Sequence, residues 1–168
     1  MLTRITSDHE HLNIENINDK FQNMSLMLNS QLLGKKEFKK FLKQQKQKHK
    51  DKEAEKDRKK IFVLDFKGDI KASTVSSLRE EITAILTVAD KQDEVLVLLE
   101  SGGGTVHGYG LGASQLRRIR DRGIKLTVAV DKVAASGGYM MACVADKIIA
   151  APFAIIGSIG VLAQIPNF

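Results

Sequence analysis

Apolar residues in this chain gather after position 60, in short runs separated by polar turns. Ile61-Phe-Val-Leu-Asp-Phe66 reads as a strand that ends in a Lys67-Gly68 turn. From Thr74 to Ala89 the period changes: Val75, Leu78, Ile82, Ile85 and Leu86 recur at helical spacing, with Ser73 or Thr74 placed to cap. Val95-Leu-Val-Leu-Leu99 is continuously apolar, as expected of a parallel strand covered on both faces. The pattern then predicts a helix from Gly108 to Asp121, stopped by Gly123, and a strand over Ile124-Lys-Leu-Thr-Val-Ala-Val130. A short helix over Gly137 to Val144 and a strand over Lys147 to Ala151, ended by Pro152, complete the series. Strand-helix alternation of this kind specifies an α/β domain with right-handed crossovers and a mostly parallel sheet.

The first third of the chain is different. Asn18 to Leu33 fits a helix, with Phe21, Met24, Leu28 and Leu32 near helical spacing. Residues 35–60 hold 13 Lys+Arg against 5 Asp+Glu, with few apolar side chains, and are expected as a solvated helix or a disordered run. Residues 1–60 are accordingly taken as a basic arm, helical and partly disordered, and 61–168 as part of an α/β domain.

Charge sharpens that division. Residues 1–60 carry 15 Lys+Arg and 9 Asp+Glu, whereas residues 61–168 carry 11 of each. The entire net charge of +6 therefore sits on the arm. A fold built to hold nucleic acid places such an excess on its folded part, and interleaved aromatics here are limited to Phe38 and Phe41. No nucleic-acid partner is expected. No run of about 18 apolar residues occurs, so no segment reads as a membrane span, and the N-terminus lacks the apolar core of a secretory signal.

Candidate chemistry centres on Ser136. It lies where Val130-Asp-Lys-Val-Ala-Ala-Ser136 runs into Gly137-Gly-Tyr139, at a strand-to-helix junction. The preceding strand leads into Glu100-Ser-Gly-Gly-Gly104. In an open α/β sheet both loops fall at the C-terminal ends of strands, where functional groups collect. A serine with backbone N–H groups beside it is a workable arrangement for acyl transfer. The Gly137 N–H is one candidate oxyanion donor, and Gly103 or Gly104 another. Against this, Ser136 could be only a helix cap and the glycines only a turn.

A general base is not evident. His107 follows the glycine loop without an orienting carboxylate, Lys132 belongs at a strand end facing solvent, and Lys147 flanks a strand. Cys143 reads as a small core residue, and a lone cysteine excludes an intrachain disulfide. The G-x-S-x-G elbow, the phosphate-binding G-x-x-x-x-G-K-[ST] loop and metal-ligand spacings are all missing, so neither a metal nor another cofactor is expected.

Several segments resemble the signal peptide peptidase A family of bacterial serine peptidases. They are Phe62-Val-Leu-Asp-Phe-Lys-Gly68, Ser77-Leu-Arg-Glu-Glu-Ile-Thr83, Val106-His-Gly-Tyr-Gly-Leu111, Gly157-Ser-Ile-Gly-Val161 and, most specific, the run from Asp131 to Lys147. The resemblance implies a ClpP/crotonase-like fold and a Ser–Lys dyad. It makes Ser136 the nucleophile, with Gly103, Gly104 and the Gly137 N–H forming the oxyanion hole. Ser158 would orient the base lysine. Family members usually read Asp-Ser-Pro-Gly-Gly where this chain reads Glu100-Ser-Gly-Gly-Gly104, and Gly102 in place of proline should loosen the turn.

The base lysine of the family lies well past Phe168. The resemblance thus implies an interior piece of a serine endopeptidase, lacking the base and a membrane helix and inactive alone; the other reading is an inactive interaction module. It further implies a peptide or protein substrate bound as an extended strand, a homo-oligomer, and an inner-membrane location with the peptidase domain in the periplasm. The arm could touch an anionic membrane surface.

Overall fold

The structure is a computed structural model and describes residues 2–8, 11–54 and 58–160. The strongest apolar runs form a mostly parallel sheet, as their composition requires. Strand β3 (Ile61–Gly68) pairs in parallel with β4 (Glu94–Ser101), and β4 with β5 (Lys125–Val130). Helix α3 (Val75–Val88) connects β3 to β4, and α4 (Val106–Asp121) connects β4 to β5. Val95, Val97, Leu126 and Val128 are fully buried in one cluster with Leu78, Ile82 and Ile85 of α3 and Leu116 and Ile119 of α4, while Leu96 and Leu98 on the other face of β4 are only half-buried. Each such aliphatic side chain contributes roughly 1.5–3 kcal/mol of burial. Past β5 come α5 (Gly137–Ala142) and β7 (Lys147–Ala150), which pairs in parallel with β5. This is the α/β architecture of the ClpP/crotonase-like fold.

Four strands escape the hydrophobic pattern. Strands β1 (Leu2–Asp8) and β2 (His11–Asn16) form an antiparallel pair, and β1 runs parallel to β3. Thr3 and Ile5 are buried there, and Arg4 pairs with Asp65 of β3. The N-terminal residues thus extend the sheet, giving the order β2-β1-β3-β4-β5-β7. The others are β6 (Val133–Ala135) and β8 (Ile155–Gly157). Strand β6 pairs β4 at Ser101↔Ala134, and β8 lies beside β6. Three-residue strands such as these are too short to show a period.

Helices α1 (Ile17–Leu32) and α2 (Lys35–Ala54) fill the gap between β2 and β3. Asn16 caps α1 by accepting the Asn18 N–H. No side chain of α1 is buried: Phe21, Met24, Met27, Leu28 and Leu32 are all exposed. The basic run is helical, and Phe38 stacks on Phe41 within it.

The expected cap of α3 is absent. Thr74 occupies the cap position without a capping bond, and its hydroxyl donates to the Lys67 carbonyl instead. Ser73 hydrogen-bonds the Asp69 carboxylate, which holds that carboxyl below its usual range. Among the described residues no helix is long and apolar enough to cross a membrane, and no His/Cys/Asp/Glu cluster could hold a metal ion.

Candidate active site

Strand register builds the site. Because Ser101 of β4 lies opposite Ala134 of β6, the residues that follow each strand continue side by side. The Gly102–Gly104 turn is thereby laid against Ser136 and Gly137. Contact is close enough to demand glycine: a Cβ on Gly103 would sit 2.7 Å from the Ala135 carbonyl oxygen and from Ser136 Cβ, and 2.8 Å from the Gly137 nitrogen. Gly103 also has φ +89°, a region that side chains disfavour.

Ser136 opens α5 in a conformation that is rare for any residue but glycine, with φ 50° and ψ −116°. Its backbone is clamped on both sides: its N–H donates to the Gly157 carbonyl at 2.7 Å, and its carbonyl accepts from Met140 N–H at 2.9 Å. Its side chain makes no capping hydrogen bond. The simple helix-cap reading therefore does not describe the geometry, and the half-buried Ser136 lines a cleft of about 720 Å³. Gly102, Gly103, Gly104 and Gly137 line it too, with Val106, Met140 and Ile159 giving apolar surface.

The backbone donors divide in two. Gly103 N–H donates to Ser101 Oγ at 3.0 Å, so this group holds the turn rather than offering itself to the cleft. Grouping it with the oxyanion donors, as its pattern suggests, overlooks the serine at the end of β4. Gly104 and Gly137 N–H have no partner among the described residues. Ser158 follows β8, whose Gly157 lies opposite Ala135, so it is carried to the edge of the site. It is exposed, with φ 54°, and does not line the cleft.

None of the alternative bases enters the cleft. Lys132 is 71% exposed and pairs with Glu100 at 3.1 Å. Lys147 is exposed at the start of β7, and His107 is exposed in the first turn of α4. No lysine, histidine or carboxylate of the described residues lines the cleft. Cys143, expected in the core, is exposed on the cleft wall instead, at the C-cap of α5, while Val144 and Ala145 after it pack against the core. The Cys143 side chain, one helical turn on, raises the Tyr139 pKa.

Comparison with known proteins fits this geometry. The family model described as peptidase family S49 N-terminal matches residues 1–116, and the model for peptidase family S49 matches residues 118–168. The chain belongs to peptidase family S49. Its S49 relatives include the probable protease SohB of Buchnera aphidicola subsp. Schizaphis graminum, 51% identical across the whole chain, of which it spans 51%. The probable protease SohB of Buchnera aphidicola subsp. Acyrthosiphon pisum is 72% identical over 66% of this chain and 33% of its own length. That of Haemophilus influenzae is 73% identical over 64% of this chain and 30% of its own length. The chain thus spans about half or less of the S49 relatives it matches.

Proposed function

We propose that this chain carries the nucleophile and oxyanion donors of a SohB-like serine endopeptidase. The observation that bears most on this is Ser136 itself: a strained, clamped backbone leaves its hydroxyl uncapped on a cleft, against a glycine turn. Ser136 Oγ attacks the scissile carbonyl carbon as a general base takes the hydroxyl proton. The carbonyl oxygen becomes an oxyanion that accepts hydrogen bonds from Gly104 and Gly137 N–H. The base returns the proton to the departing amine as the C–N bond breaks, and water then cleaves the acyl ester by the same route.

The base in this reading is a lysine of the longer protein, outside residues 1–168, with Ser158 orienting it. The lack of any base on the described cleft supports that assignment. The substrate is a peptide or protein segment lying as an extended strand along the glycine turn, with an apolar side chain against Val106, Met140 and Ile159. The whole protein is a homo-oligomer at the inner membrane with the peptidase face in the periplasm; the basic arm is the helical stretch of α1 and α2, while β1 and β2 belong to the sheet of the peptidase domain.

The test is fluorophosphonate labelling and peptide hydrolysis by the longest protein that carries this chain, beside its Ser136→Ala variant. Labelling and turnover that vanish in the variant are expected, with no turnover by the 168-residue chain alone. An unlabelled Ser136 in the longer protein overturns the reading and leaves a non-catalytic interaction module. Rapid turnover by the isolated chain overturns the external base.

A further inference from the structure

Tyr109 is fully buried on α4, and two features of the candidate site converge on it. Its ring packs directly beneath Gly137: a Cβ there would lie 2.4 Å from Tyr109 Cγ. Its hydroxyl lies 2.5 Å from Ser101 Oγ and donates to the Asp69 carbonyl at 2.7 Å. A carbonyl can only accept, so the single phenolic proton is committed to Asp69. The short contact to Ser101 must then be filled by the serine proton. Ser101 Oγ in turn accepts the Gly103 N–H at 3.0 Å. Every group thus points one way: Gly103 N–H to Ser101 Oγ–H, to Tyr109 Oη–H, to the Asp69 carbonyl. Chains of this polarity strengthen each bond in them.

We propose that Tyr109 is the positioning residue that sets both oxyanion donors at once, its ring fixing the Gly137 peptide and its hydroxyl fixing the Gly102–Gly104 turn through Ser101. This rests on the hydrolase reading of Ser136, which it deepens. Three successive glycines have little stiffness of their own. Thr105 N–H ties the far end of the turn to the Ile70 carbonyl at 2.9 Å, so the 69–70 segment anchors both ends. The hydroxyl relay does here what a rigid residue at position 102 would otherwise do. Gly102 has open space around its missing Cβ and does not adopt a positive φ. Ser101 before it is in a strand, so a proline would fit.

Tyr109→Phe keeps the ring and removes the relay. In the 168-residue chain, backbone amide exchange of Gly103 should accelerate about tenfold, the equivalent of one hydrogen bond. In the longest protein carrying the chain, kcat should fall about tenfold with KM little changed, because the lost interaction is with the transition state. Adding Gly102→Pro should restore most of kcat. Unchanged Gly103 exchange in Tyr109→Phe overturns the relay, as does a loss of turnover that Gly102→Pro fails to restore. If Tyr109→Phe does not fold, Ser101→Ala cuts the relay one link earlier and is read by turnover: a kcat that does not fall, or that Gly102→Pro fails to restore, overturns the proposal. A wild-type protein whose Ser136 never reacts sinks the hydrolase reading instead, while the exchange experiment still decides the relay.

Discussion

The backbone at Ser136 offers a direct measure of strain at the site. Its φ of 50° and ψ of −116° place a Cβ-bearing residue where glycine is at ease. A residue held in such a region costs about 1–3 kcal/mol. Replacing Ser136 by glycine removes that cost and adds about 0.5–1 kcal/mol through the greater freedom of the unfolded chain. No capping bond is forfeited, since the serine makes none. Ser136→Gly should therefore be about 1 kcal/mol more stable than Ser136→Ala, which keeps the Cβ and the strain. For a chain of this size that corresponds to roughly 2–4 °C in Tm. Paired thermal and urea melts of both variants measure it, and both should fail to react with a fluorophosphonate. A glycine variant that melts at or below the alanine variant would show that the backbone there is relaxed, and the reasoning would be refuted.

Other substitutions probe the same surroundings. Gly137→Ala drives a methyl into the Tyr109 ring and should cost about 1–3 kcal/mol in urea melts. Gly103→Ala meets the Ala135 carbonyl at 2.7 Å with φ +89°, so the turn must back away from the nucleophile, and Ser136 labelling in the longer protein should drop sharply. Far from the site, burial alone would raise the Asp93 carboxyl. The N–H groups of Asp90 and Lys60 and the Lys60 ammonium outweigh that and hold it below its ordinary 3.8. Its contribution is complete above 3.8 and is lost as pH falls through the lower folded value. Asp93→Ala should cost about 2–3 kcal/mol at neutral pH and flatten the acid limb of a stability-versus-pH curve.

The parts of the fold legible in the sequence were those with a dense apolar run or a strictly periodic apolar face. Val95 to Leu99 announces itself by its apolar run, although its burial alternates, with Val95, Val97 and Leu99 in the core and Leu96 and Leu98 only half-buried. The α3 face at Leu78, Ile82 and Ile85 announces itself because every helical turn meets the core. Strands β1 and β2 do not. Arg4 interrupts β1 and is intelligible only once Asp65 lies beside it, while Leu12 and Ile14 of β2 remain exposed. At the candidate site, the proximity of Ser136 to the glycine turn follows from strand order alone. The partner of Gly103 N–H does not, because Ser101 and Tyr109 look like ordinary strand and helix residues until the crossover stacks them.

The pairing of β1 with β3 bears on how this polypeptide can be shortened. A version starting at residue 59 would keep every helix-strand unit that the hydrophobic pattern announces, yet it would strip the partner from Ile61 to Leu64. Those backbone groups would then form a bare, apolar margin, ready to recruit another molecule's strand. Such a trimmed product should clump or dimerise edge to edge, and the short strand β1, small as it is, serves as the seal that prevents it.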